Sequence, residues 1–75
     1  MFQLTTDKEL LVSLGLRVRK YREVLNLSQS ELARVSGLHR SYIVSVEKGE
    51  RNISYINLVR LAGALNIKIS LLVED

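Results

Sequence analysis

The chain has 75 residues, no cysteine, no proline, one histidine and a formal net charge of +3, which excludes disulfides and argues against a structural zinc site. No apolar run approaches the ~20 residues that a membrane span needs, and MFQLTTDKELL lacks the basic start and small-residue cleavage site of a secretory signal, so a cytoplasmic protein is expected. A domain of this size removes only about 60% of its unfolded surface from water, and with disulfides and metal set aside, self-association is the support left to it.

The stretch Thr6-Asp7-Lys8-Glu9 fits a capping box, in which a hydroxyl accepts from a free backbone N–H and the Glu three residues on reaches back. A first helix is expected from there. Leu11, Leu14, Val18, Tyr21 and Leu25 follow at intervals of three and four as one apolar stripe. Gly15 interrupts it at a cost of about 1 kcal/mol against Ala, and reads as a kink or as the start of the helix proper. Asn26 reads as a left-handed stop. Ser28-Gln29-Ser30-Glu31 is a second capping box, opening a helix at Gln29 that carries Leu32, Ala33 and Val35 and is cut by Gly37.

A third helix is expected from about Arg40 to Lys48, with His39 at its N-cap and Gly49 past its end. Two short helices about a tight Gly-containing turn form a helix-turn-helix. Ser54 can cap a fourth helix bearing Leu58, Leu61, Ala62 and Leu65 and ending near Asn66. For "NIKISLLV" two readings stand: a last helical turn over Ser70 to Glu74, or a strand in which Ile67, Ile69 and Leu71 alternate. The expected fold is all-α, a compact bundle of about five helices containing a helix-turn-helix, in one domain over residues 1–75 with disorder expected at 1–5.

The third helix has two unlike faces. Ile43 and Val46, with Leu38 before them, share the side that can pack against helices one and two, while Arg40, Ser41, Val44 and Ser45 occupy the other, with Tyr42 at its margin. A solvated helix would more often carry Glu/Lys pairs at i, i+4; here a guanidinium stands at the first turn with small hydroxyls behind it and no acid until Glu47. Small side chains admit a close approach to a groove, and an arginine can donate two hydrogen bonds to guanine O6 and N7. Ala33, four residues before Gly37, lets helix three cross helix two closely.

Charge is concentrated over the same region. From Arg17 to Arg51 eight Lys/Arg face four Glu, a local +4, while the rest of the chain carries −1. Such an excess attracts a polyanion.

Through "LSQSELARVSGLHRSYIVSVEKGERN" and on into "LVRLAGALNI", over about residues 14 to 72, the chain resembles the phage Cro and repressor type of helix-turn-helix domain, the XRE-like family. Within it, "GLHRSYI" and the following pattern of Glu47, Gly49 and Arg51-Asn52-Ile53-Ser54 look most like the short controller proteins of restriction-modification systems, which are dimeric regulators. The resemblance implies base contacts in the major groove from Arg40, Ser41, Val44 and Ser45, with Tyr42 against base or backbone. It implies backbone contacts from Gln29, Ser30, His39, Arg51, Asn52 and Ser54, with Gln29 either on a phosphate or reaching towards helix three. Contacts of the second kind set register and those of the first set sequence. An arginine of helix one pairs with the glutamate closing helix three in this family, and Arg22 and Glu47 occupy those places. Implied partners are double-stranded DNA, a second copy of the chain and RNA polymerase, with no cofactor, metal, membrane or small-molecule ligand.

Three departures from the family pattern bear on the reading. Ile53 replaces the usual Pro after Arg-Asn, Lys68 stands where the last helix is commonly capped, and His39 replaces a Ser, Thr or Asp cap, to serve as a substitute cap, a backbone contact or a direct base contact.

No second His, Cys, Gly-rich phosphate loop or carboxylate pair suggests an enzyme. Two classes of function remain: a transcriptional regulator bound to duplex DNA, and a protein-interaction adaptor on the same scaffold. A deep, narrow RNA major groove admits no helix, which favours DNA. One such domain reads few base pairs, so a two-fold dimer is expected to read a pseudo-palindrome with half-sites about one helical turn, ~34 Å, apart. Its interface is expected among Leu58, Leu61, Leu65, Ile67, Ile69, Leu71 and Leu72, residues that can instead close the monomer core.

Overall fold

The computed structural model describes residues 5–73, and five helices follow one another through them: α1 Asp7–Val24, α2 Gln29–Ser36, α3 Arg40–Glu47, α4 Tyr55–Leu65 and α5 Ser70–Val73. The expected disorder of residues 1–5 lies, apart from Thr5, outside the described residues, as does the expected last helical residue, Glu74. Among the described residues no helix is long and apolar enough to cross a membrane.

Local chemistry starts and stops each helix. The hydroxyls of Thr6 and Ser28 accept from the backbone N–H of Glu9 and Glu31 at 3.1 and 3.0 Å, and both glutamates reach back to the N–H of the cap, which completes both capping boxes. The Ser54 hydroxyl accepts from Asn57 N–H at 3.2 Å to open α4. Asn26 and Asn66, at φ 56° and 57°, are the left-handed stops of α1 and α4. Gly37, at φ 74°, makes the turn between α2 and α3, where a side chain would be strained.

Every helix contributes to one core. Val18, Leu32, Ile43, Val46, Leu61, Leu65 and Leu72 are buried almost completely, with Ala33 and Ala62 among them. Each such Leu, Ile or Val contributes about 1.5–3 kcal/mol relative to exposure, so the short helices are held by packing rather than by their own propensity. α3 lies against both α1 and α2, and α4 packs on α2.

Several expectations are corrected. Gly15 neither kinks nor starts α1: the helix runs through it, and the residue is buried because the last turn of α3 crosses there. Leu25 and Val35 are exposed, Leu25 because it is the cap residue beyond the stripe, and Val35 because Ser36, whose hydroxyl bonds the Ala33 carbonyl at 3.2 Å, takes the inward position. Ser70–Val73 forms a helical turn rather than continuing a strand; the N–H groups of Leu71 and Leu72 bond the carbonyls of Lys68 and Ile69, and Lys68 does not prevent the turn. Of the seven expected dimer residues, Leu61, Leu65 and Leu72 are spent in the monomer core, and Leu58, Ile67 and Ile69 pack partly against it. Leu71 alone of the seven is exposed. A 3.6-residue period marks an apolar face without saying which of two bodies covers it.

Candidate nucleic-acid interface

α3 is seated by its inner side chains. Ile43 is fully buried and Val46 nearly so, between α1 and α2, which fixes the opposite side of the helix outward. On that side Arg40 and Ser41 are exposed, Val44 and Ser45 half-buried. The Ser45 hydroxyl donates to the Tyr42 carbonyl at 2.9 Å, a bond within the helix that leaves its oxygen to accept from outside. Arg40 opens α3 exposed, with no hydrogen-bond or ion-pair partner among the described residues.

A single carboxylate locks the orientation of α3. Arg22 Nε and Nη2 donate to the two oxygens of Glu47 at 2.6 and 2.8 Å, Arg22 Nη1 donates to the Leu27 carbonyl at 2.9 Å, and Gln29 Nε2 donates to Glu47 Oε1 at 3.2 Å. Side-chain exposure is 12% for Arg22 and 5% for Glu47, so the pair is partly buried rather than a surface pair. The hydrogen bonds it donates to Glu47 hold the Arg22 guanidinium above the ordinary arginine pKa, against the opposing effect of burial. α1, the α1–α2 connection, the first residue of α2 and the last of α3 thus meet at one point. Of the two readings of Gln29, the reach towards helix three is the one observed.

The loop and α4 add a second group. The Arg51 guanidinium lies over the Tyr42 ring, 4.7 Å from its centroid, with Nε 3.4 Å from the Ser45 hydroxyl, so this arginine is folded across α3. Asn57 Nδ2 donates to the Tyr42 hydroxyl at 3.1 Å. Asn52 is exposed beside Arg51, and Ile53, the replacement for Pro, packs partly against the core. The Ser54 hydroxyl oxygen is committed to the α4 cap.

The other expected contacts separate into the exposed and the idle. Ser30 is exposed in the first turn of α2. His39 is exposed at the N-cap position but makes no side-chain cap bond, which corrects the substitute-cap reading; the backbone alone starts α3 there. Sequence reasoning missed Asn57 and its neighbour Arg60, which touch the site only through the fold, because nothing in the spacing links residue 42 to residue 57. It also missed that Arg19 and Lys48 line a shallow hollow with Gln29 and Val44; the signal for these was present, since both belong to the central basic excess. Among the described residues no cluster of His, Cys, Asp or Glu could hold a metal ion.

Comparison with known proteins places this geometry. The family model described as helix-turn-helix matches residues 18–72. The control protein C.SmaI of Serratia marcescens is 52% identical over 62 residues, 83% of this chain and 70% of that protein. The crystal structure of the restriction-modification controller protein C.AhdI from Aeromonas hydrophila matches with a TM-score of 0.81 at 48% identity, over 83% of this chain and 94% of that one. The master regulator for biofilm formation SinR, solved in complex with DNA, matches with a TM-score of 0.79 at 31% identity, over 81% and 98% of the two chains.

Proposed function

Because the chain belongs to the helix-turn-helix family and closely matches restriction-modification controller proteins, we propose that it is a transcriptional regulator that binds double-stranded DNA sequence-specifically as a homodimer. α3 enters the major groove, with Arg40, Ser41, Val44 and Ser45 towards base edges and Tyr42 at their margin. Arg51, Asn52, Ser30 and the first turn of α4 hold the phosphate backbone, where unpaired N–H groups and positive charge favour an anion. The single observation that carries the reading is the division of α3: Ile43 and Val46 are buried while Arg40 and Ser41 project from a helix that Glu47 anchors at its far end.

The dimer is supported by α4. Tyr55, Ile56 and Val59 are 73%, 63% and 45% exposed, and with Gly63 they fall within one arc of the helix. Three large apolar side chains around a residue with no Cβ make a face on which the α4 of a second copy can approach closely. A second copy of the same chain is the natural occupant, since a two-fold axis makes one such face complementary to itself and a dimer is what a pseudo-palindrome with half-sites about one helical turn apart requires.

Selection of bound duplexes from a random pool, followed by affinity measurement between 50 and 300 mM salt, tests the proposal. A pseudo-palindromic consensus and a log-log salt slope of about −0.9 per phosphate contact are expected. Retention that ignores salt, with no consensus, would replace this reading with the adaptor.

A further inference from the structure

The hydroxyl of Tyr42 has a neighbour that determines which way its proton points. Asn57 Nδ2 lies 3.1 Å from the Tyr42 oxygen, and Arg60 Nη1 lies 3.4 Å from Asn57 Oδ1. A guanidinium only donates. Arg60 therefore requires the oxygen of the Asn57 amide on its own side, which turns the nitrogen towards Tyr42. With an N–H already directed at it, the phenol oxygen accepts on its inner side, and its own proton has no acceptor among the described residues. Arg51, over the ring face, holds the plane of the phenol.

We infer that Asn57 is a positioning residue, oriented by Arg60, that fixes the Tyr42 hydroxyl as a hydrogen-bond donor towards the duplex. The inference rests on the DNA-binding reading above and adds a direction to it. A donor at this point complements guanine O6 and N7, adenine N7, thymine O4 or a phosphate oxygen, and is mismatched to the amino groups of cytosine and adenine. Neither Asn57 nor Arg60 needs to touch DNA to have this effect. α4 thereby contributes to what α3 reads, although the two side chains belong to different helices.

The experiment is a double-mutant cycle of Tyr42→Phe and Asn57→Asp, with affinities measured on a duplex selected from a random pool and on a scrambled duplex of the same composition. Asn57→Asp nearly preserves shape but replaces the donating N–H with an acceptor, so the phenol turns its proton inward. Tyr42→Phe is expected to lower affinity about three- to tenfold, the worth of one hydrogen bond. Asn57→Asp is expected to lose that factor together with a uniform loss from its added charge, and on the Tyr42→Phe background only the uniform loss. Coupling confined to the selected duplex identifies a base edge as the acceptor; equal coupling on both duplexes identifies a phosphate. Arg60→Met, at an exposed position, frees the amide and is expected to act in the same direction with a smaller effect, lost again in Tyr42→Phe. If Asn57→Asp costs the same with and without the Tyr42 hydroxyl while the parent protein binds its selected duplex, the polarity relay is wrong and the DNA-binding reading stands. If the parent selects no duplex, both fall.

Discussion

Gly15 and Val46, on helices 31 residues apart in the chain, lie so close that a Cβ built on Gly15 would overlap the Val46 carbonyl oxygen and stand 2.8 Å from that of Glu47. The first helix accordingly receives the end of α3, backbone to backbone, at the one place in its length where a side chain is absent. Gly15→Ala would gain about 1 kcal/mol of helix propensity but would push α3 off its seat, and overpacking of this kind costs about 1–3 kcal/mol. A net loss is expected. Gly63→Ala is the control, since nothing lies within 4 Å of its position; it is expected to stabilise each protomer while weakening self-association. Urea midpoints read the first effect and sedimentation the second, and a Gly15→Ala protein more stable than its parent would contradict the close approach.

Glu47 is expected to be the most sensitive polar residue. Removing it leaves the largely buried Arg22 without its partner and frees Gln29, for a loss of about 3 kcal/mol or more. For a domain of this size that approaches the whole stability. Arg19→Ala or Glu23→Ala, which break an exposed pair at 3.2 Å, should shift the urea midpoint very little.

Acid should act on the two helix starts. The Thr6 hydroxyl and then its backbone N–H hold the Glu9 carboxyl below the ordinary glutamate range, and the Ser28 backbone N–H and then its hydroxyl do the same for Glu31. A carboxyl whose folded pKa lies below its unfolded one contributes stability above about pH 4.3, the unfolded value, and loses it as pH falls through the folded pKa. Stability followed by circular dichroism from pH 6 to pH 3 should decline in that window, and Thr6→Val with Ser28→Ala should flatten the decline.

Arg40 and Asn52 should fail in different ways. Arg40→Ala is expected to cost about 1–3 kcal/mol on the selected duplex and to relax preference at one base step. Asn52→Ala should weaken all duplexes alike. Equal losses on selected and scrambled DNA for Arg40→Ala would remove it from the base-reading group.

The expected dimer residues divide by burial. Ile56→Glu, at an exposed position of α4, should leave the protomer folded and shift sedimentation to the monomer, with weaker operator binding. Leu65→Ala, in the core, should cost about 2–5 kcal/mol at any protein concentration. A dimer that survives Ile56→Glu would place the interface elsewhere.

The sequence by itself determined what depends on near neighbours. Thr6 with Glu9, Ser28 with Glu31, Asn26, Gly37 and Asn66 mark their helix ends because caps and left-handed stops are contacts within a few residues. The period of Ile43 and Val46 set the inward face of α3, and the family pattern identified Arg22 and Glu47 as partners. Only the tertiary structure decided what lies between distant segments: that Gly15 is a seat for α3, that Leu61, Leu65 and Leu72 close the monomer while Tyr55, Ile56 and Val59 remain outside, that Gln29 joins Glu47, and that Asn57 reaches Tyr42. Periodicity records that a side chain is apolar along one helix; which helix comes to meet it depends on how all five pack around a shared core.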